Sequence, residues 1–333
     1  MGRWCPRPRW SARTGSWQAD RVAAREDFAQ LADPFRQELL AYCYRMLGSV
    51  HDAEDLVQET YLRAWRSYDA FEGRSSLRTW LYRIATNACL RALESGARRV
   101  LPAALGAPGD DLAGPLPRLP EVTWLEPFPL DPADVVSSRN GLRLALIAAL
   151  QHLPPRQRVV LILREVLAWS AAEVAELLDT STAAVNSALQ RARAQLERES
   201  PQADEIGEPV DPEQRALLER YVEAFENVDI AALEKVLTED AVWEMPPVLT
   251  YFAGRRTVAA LIESRLGGSI GPGLLVPVAA NDQPAYAYYA RSADGRLRAH
   301  SIQLLTVTGA GISHVVAFHS PRLFGRFGLP LLR

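Results

Sequence analysis

Two groups of side chains in the first hundred residues have types and spacings that could do chemistry. Between Tyr68 and Arg91, aromatic rings are interleaved with arginines: Phe71, Arg78, Trp80, Tyr82, Arg83, then Asn87 and Arg91. Unpaired bases stack on rings while guanidinium groups meet phosphates, so this pattern suits single-stranded nucleic acid. A helix with its aromatics in a core and its arginines in water has the same pattern, and on spacing alone both readings stand. Just upstream, Ala53, Leu56, Val57, Thr60 and Ala64 recur at helical spacing as a buried face. The opposite face carries Asp55, Gln58, Glu59 and Leu62, while Asp52, Glu54 and Asp55 favour the helix N-terminus electrostatically. An ordinary solvated face accounts for the acids. A leucine among them is what a partner-binding surface carries.

A third group lies further on. Ser170 and Glu173 form a capping box that opens a short helix to Leu178, and Asp179-Thr180 makes a turn. A longer helix follows from about Thr182 to Glu197, with Val185, Leu189, Ala192 and Leu196 buried. Asn186, Ser187, Gln190, Arg191 and Arg198 then project outward. Amide, hydroxyl and guanidinium groups on the second helix of such a pair are the arrangement that reads a major groove. A helical hairpin with no DNA role is the alternative.

The elements that must position these groups follow from periodicity. Asp33-Pro34 predicts a helix start, with Phe35, Leu39, Cys43 and Met46 inward and Gly48 closing the helix. Leu142, Leu146, Leu150 and Leu153 predict another helix, and Pro154-Pro155 restarts the chain into a third. Pro-, Gly- and Ala-rich sequence between Ser95 and Ser138 reads as a linker, although Trp124 to Pro132 is apolar enough to dock on a neighbouring domain. After acidic residues 201–211 come two helices, a strand at Ala241–Met245 and a helix at Thr257–Leu266. Four strands joined by turn signals follow: Leu274–Ala280, Ala285–Arg291, Leu297–Val307 and Ile312–Phe318. Such an order describes an α+β domain whose antiparallel meander packs on helices and can enclose a pocket. Trp243, Met245, Tyr251, Tyr286 and Tyr288 are the candidates to line it.

Composition bounds the rest. A chain of 333 residues makes two or three domains, and 48% apolar with 23% charged residues is the soluble globular range. A net charge of -3 gives no overall nucleic-acid signature, so basic surface must be local, and Lys235 is the only lysine. Cys5, Cys43 and Cys89 form no CxxC pair, so neither a zinc site nor a disulfide framework is expected, and no cofactor. No apolar run reaches the roughly 18 residues of a membrane span, and the first 20 residues have arginines but no apolar core of a signal peptide. The expectation is a cytoplasmic protein with a disordered leader.

With the motifs in place, residues 27–197 resemble the extracytoplasmic-function (group IV) sigma factors of bacterial RNA polymerase, within the sigma-70 family. DAEDLVQETYLRAW looks like region 2.2, and FEGRSSLRTWLYRIATN like the promoter-melting, -10-reading part of region 2. HLPPRQRVVLILREVLAWSAAEVAELLDTSTAAVNSALQRARAQL looks like region 4. The resemblance implies that Asp52, Asp55, Gln58, Glu59 and Leu62 dock on the β′ clamp of the polymerase core, which also contacts the chain through its β subunit. It implies that Phe71, Arg78, Trp80, Arg83 and Asn87 open the -10 element, and that Asn186, Ser187, Gln190 and Arg191 meet the -35 element of promoter DNA. Residues 212–330 resemble a SnoaL-like cone-shaped domain. The whole order, with WLEPFPL in the linker and FGRFGLP near the end, looks like sigma factors of the SigJ and SigG type, in which the extension tunes activity in cis. The expected layout is a leader (1–24), all-α region 2 (25–95), a linker (96–138), all-α region 4 (139–200), a linker (201–211) and the α+β domain (212–333). Two other readings compete. A SnoaL-like enzyme with a DNA-binding module needs an acid–base pair in the pocket. His300, His314 and His319 are present, but the sequence does not say that any two converge. A helix-turn-helix regulator acting without polymerase leaves the first 90 residues without a role.

Overall fold

The computed structural model describes residues 28–333 apart from 74, 97, 120, 131–141, 200–211 and 271. The expected leader, the linker 201–211 and residues 131–138 of the first linker lie outside the described residues.

Three helices make the first domain. Asp33 does not begin a helix: residues 28–32 are already helical and Asp33 makes no side-chain cap. A 3-10 turn at Asp33–Phe35 accommodates Pro34, whose missing N–H an uninterrupted α-helix would feel, and α1 (Arg36–Leu47) continues from it. Gly48 closes α1 at φ +71°, and a Cβ there would lie 2.5 Å from Leu125 Cδ2, so both conformation and space demand glycine. Ser49 caps α2 (Val50–Ser67), which buries Ala53, Val57, Thr60 and Ala64. Ser76 caps α3 (Leu77–Ser95), whose Leu81, Tyr82, Ala85 and Cys89 are buried.

The second domain holds α4 (Leu144–Leu150), α5 (Pro155–Leu161), α6 (Ala171–Leu177) and α7 (Thr182–Glu199), with α5 widening into a π turn at Ile162–Val166. Of the four leucines predicted to mark the first of these helices, Leu142, Leu150 and Leu153 are buried, but Leu142 and Leu153 lie outside the helix itself. α4 is only two turns long and buries Leu144, Ile147 and Leu150, because Pro154 and Pro155 stop it soon after. The Ser170–Glu173 capping box is formed in both directions, and Asp179 takes the left-handed conformation (φ +52°) that the turn requires.

The third domain begins with α8 (Pro212–Glu226) and α9 (Ile230–Val236), followed by β1 (Leu237–Glu244), β2 (Phe252–Ala253) and α10 (Arg255–Ser264). Then come β3 (Gly273–Ala280), β4 (Gln283–Arg291), β5 (Leu297–Thr308), β6 (Gly311–Phe318) and α11 (Arg322–Arg326). The sheet order is β2-β1-β6-β5-β4-β3. β3 to β6 form the expected antiparallel meander, but β1 lies parallel to β6. Parallel neighbours need a long crossover, and α10 supplies one by carrying the chain to the far edge, from which the meander returns. Along β4, Tyr286 and Tyr288 face the helices α8–α10, whereas Ala285, Ala287 and Tyr289 face the other way. That second face joins one continuous core with both helical domains.

The segment between the helical domains is not a bare spacer. Gly109 and Leu119 donate backbone hydrogen bonds to Tyr251 and Pro247, and Leu249 donates one to Pro117. Leu130 donates to Ala279, and Asn281 to Phe128. Residues 99–119 and 121–130 are a strap, tied by strand-like pairing to the third domain. Trp124 and Phe128 are buried, so the expected docking of this stretch is seen as far as residue 130. Asp131 and Pro132 lie outside the described residues.

Candidate nucleic-acid and partner interface

The acidic face of α2 is set by the helix's own period. Asp55 and Gln58 are exposed, Glu59 is half-buried, and Leu62 is 54% exposed among them. Glu59 pairs with Arg63 one turn on. Asp52 is different: Arg99 of the strap donates to its carboxylate at 2.5 Å. On the same helix, Glu54 pairs with Arg326 of α11, so the third domain touches this helix next to the exposed face.

The aromatic and basic group splits in two. Phe71 and Trp80 pack with ring centres 4.8 Å apart at the start of α3, and Asn87 is exposed further along. Arg78 and Arg83 instead face the second domain. Arg78 bonds Glu38 at 2.6 Å, and its guanidinium lies 5.2 Å from the Tyr82 ring and 5.4 Å from the Trp169 ring. Trp169 is buried with its ring centre 5.2 Å from that of Tyr82. Arg83 donates to the Glu176 carbonyl at 3.2 Å. Arg158 is buried in this junction and donates to carbonyls of Met46, Gln151 and Leu153, burial being what lowers its pKa to about 10.

On α7, Asn186, Ser187, Gln190 and Arg191 are all exposed, and Arg191 donates to the Ser187 hydroxyl at 2.6 Å. Their face is set by Val185, Leu189 and Ala192, which are buried against the rest of the domain.

All three domains meet at Asn281, in the β3–β4 turn. Its Oδ1 accepts the Phe128 N–H at 2.6 Å, and its Nδ2 donates to the Tyr44 hydroxyl at 2.9 Å and the Leu142 carbonyl at 2.6 Å. Asp282 and Gln283 accept the backbone N–H groups of Leu142 and Leu144. Glu126 completes the junction from the strap, taking Ser49 Oγ and meeting His51 Nδ1, both at 2.8 Å.

The sigma-70 region 2 family matches residues 31–99, and the sigma-70 region 4 family residues 143–196. The ECF RNA polymerase sigma factor SigG of Mycobacterium tuberculosis (strain ATCC 25618 / H37Rv) is 51% identical over 314 residues, covering 92% of this chain and 85% of that one. The chain belongs to the extracytoplasmic-function sigma factors. It is an alternative sigma factor of RNA polymerase and not an enzyme. The ECF RNA polymerase sigma factor SigJ of the same organism is 32% identical over 208 residues, 62% of this chain and 61% of that one. The crystal structure of Mycobacterium tuberculosis SigJ superposes with a TM-score of 0.64 at 25% identity, over 91% of this chain and 99% of that chain. As an ECF sigma factor the chain has RNA polymerase and promoter DNA as partners. Among the described residues, no helix is long and apolar enough to cross a membrane.

The sigma factor's C-terminal domain has the expected α+β fold and holds a half-open cavity of about 60 Å³. Trp243, Met245 and Tyr288 line it. Tyr286 and Tyr251 do not. Tyr286 shares a sheet face with Tyr288, but α8 covers it, with the Tyr221 ring centre 6.3 Å away. Tyr251 sits beside β2, where its carbonyl takes the strap's Gly109 N–H. His300 and His319 do converge, ring centres 4.7 Å apart in the cavity wall, while His314 pairs with Glu244 outside it. Trp169, Asn281 and Arg158 carried no sequence signal for these contacts: each sits in an ordinary pattern and meets residues far along the chain, Tyr82, Tyr44 and Met46.

Proposed function

We propose that this sigma factor docks on the β′ clamp through Asp52, Asp55, Gln58, Glu59 and Leu62. Phe71, Arg78, Trp80, Arg83 and Asn87 open the -10 element, Asn186, Ser187, Gln190 and Arg191 contact the -35 duplex, and the SnoaL-like domain restrains the two DNA-reading domains in cis. It acts in the cytoplasm, with the β subunit as a further contact. The observation that carries the restraint is the packing of Trp169 on Tyr82 and Arg78. The two promoter elements are named for positions about 25 base pairs apart, roughly 85 Å at about 3.4 Å per base pair. Domains whose side chains touch cannot read both, so the packed arrangement must open for promoter binding. Asn281 ties α1, the strap and the start of the second domain to the C-terminal sheet, which supports that domain as the clasp.

Run-off transcription with purified core polymerase tests this. The full chain should initiate from its promoter, and Trp169→Ala should raise that activity. Absence of promoter-specific initiation by both would remove the assignment of these surfaces. Transcription unchanged on deleting residues 201–333 would reject the restraint in cis.

A further inference from the structure

The cavity of the C-terminal domain has walls from two parts of the chain. Phe225, Trp243, Leu261 and Ile262 give it an apolar body, and Leu116 of the strap closes one side. Its polar end gathers Arg265, Gln303, Ser301, His300 and His319. Arg265, just after α10, donates through Nη2 to the strap carbonyl of Gly114 at 2.7 Å, while its Nε is buried with no hydrogen-bond partner. Gln303 spends its Oε1 on the Tyr221 hydroxyl at 2.8 Å, which leaves its amide N–H groups for an occupant. His300 and His319 complete that end. Burial, with the charge of Arg118, lowers His300 to about 4; burial, then His300 and Arg118, lowers His319 to about 3. Both therefore stand neutral at physiological pH; each ring has one N–H and one acceptor nitrogen, and Nδ1 of His300 lies 3.4 Å from the Ser301 hydroxyl. No carboxylate lines the cavity among the described residues. A guanidinium with a buried, unused N–H, beside neutral groups that can donate and at the end of an apolar chamber, has the chemistry to meet an anion.

We propose that this cavity binds a small amphipathic carboxylic acid as its anion, with the hydrocarbon against Phe225, Trp243 and Leu261 and the carboxylate on Arg265, Gln303 and the two histidines. The ligand's carboxylate competes with the Gly114 carbonyl for the Arg265 guanidinium, so occupancy loosens the strap between residues 109 and 119. This deepens the reading of the domain as a restraint in cis and rests on it for consequence, but not for binding.

Calorimetric titration of the full chain with acetate, propionate and butyrate, and with neutral 1-butanol, tests the site without polymerase, the acids being short enough for a cavity of about 60 Å³. At least one carboxylate should bind with one-to-one stoichiometry, and butyrate should bind roughly tenfold or more tighter than the alcohol if its anion meets the guanidinium. Arg265→Gln should remove that preference and leave the alcohol's affinity unchanged. Ala317→Leu, which fills the chamber from β6, should abolish both, with circular dichroism and the melting temperature reporting that each variant is folded. Hydrogen exchange of residues 109–119 should speed up on binding. No heat from any of the three acids up to about 1 mM, or equal carboxylate binding by Arg265→Gln, overturns the proposal. Because binding is read apart from transcription, failure of the site and failure of the restraint in cis are told apart.

Discussion

Replacing Asn281 should release the clasp while leaving each domain folded. Its side chain makes three hydrogen bonds, to Phe128 N, Tyr44 Oη and the Leu142 carbonyl. Tyr44 keeps its own bond to the Glu126 carbonyl at 2.8 Å, so it is only half deprived. The Phe128 N–H and the Leu142 carbonyl lose a partner in a buried place, at about 1–3 kcal/mol each. The sum is about 2–6 kcal/mol, and even about 3 kcal/mol shifts a closed-to-open ratio by roughly a hundredfold. Backbone conformation can be separated from these bonds. Asn281 sits at φ +51°, which glycine adopts freely and alanine at a further cost of about 1–2 kcal/mol. Asn281→Gly should therefore open the molecule through lost bonds alone, and Asn281→Ala should open it further. Hydrogen exchange around Tyr82 and Trp169 reads the opening, and run-off transcription with core polymerase reads its consequence, expected as a gain. Unaltered exchange and unaltered transcription in Asn281→Gly would falsify the clasp, since the bond count leaves no room for a silent change.

Other outcomes follow from the same geometry. Because His300 and His319 have folded pKa values below the usual 6.5, the unfolded chain binds more protons between about 4 and 6.5. Their contribution is whole above 6.5 and lost as pH falls: denaturant melts should show up to about 1.4 kcal/mol lost per histidine between pH 7.5 and 5.5, and His300→Gln with His319→Gln should flatten that slope. Leu62→Asp should weaken binding to core polymerase with the melting temperature unchanged, because the side chain is 54% exposed. By contrast, Phe71→Ala, Trp80→Ala and Asn87→Ala should bind core normally and fail in permanganate footprinting of the open promoter; loss of core binding by both sets would refute the division. Arg158→Met should cost about 2–5 kcal/mol in urea melts, since it strands buried carbonyls of Met46, Gln151 and Leu153.

Amino-acid order alone determined the elements and their faces. The period of α2 placed Leu62 among acids, the Ser170–Glu173 box and Asp179 placed the turn before α7, and strand alternation with turn residues gave the meander. These are local matters, decided by side-chain spacing and by backbone preferences within a few residues. Where local preference met a long-range competitor, the sequence misled. Asp33 looks like a cap, yet a helix already packed through Phe28 and Ala32 runs past it. Tyr286 looks like a pocket residue, yet α8 claims it. A Pro- and Ala-rich stretch looks like a spacer, yet its backbone groups pair with the C-terminal domain.

What only the tertiary structure decided is what lies against the faces of α2 and α3 proposed to meet polymerase and promoter. The acidic face stays largely open, but Arg99 holds Asp52 and Arg326 holds Glu54 beside it. The aromatic helix presents Phe71, Trp80 and Asn87 on one side and gives Arg78 and Arg83 to Trp169 and Glu176 on the other. No spacing rule couples Tyr82 to Trp169 or Asn281 to Tyr44. Such pairs depend on how whole domains bury their remaining apolar surface against one another, and the chain records that only in three dimensions.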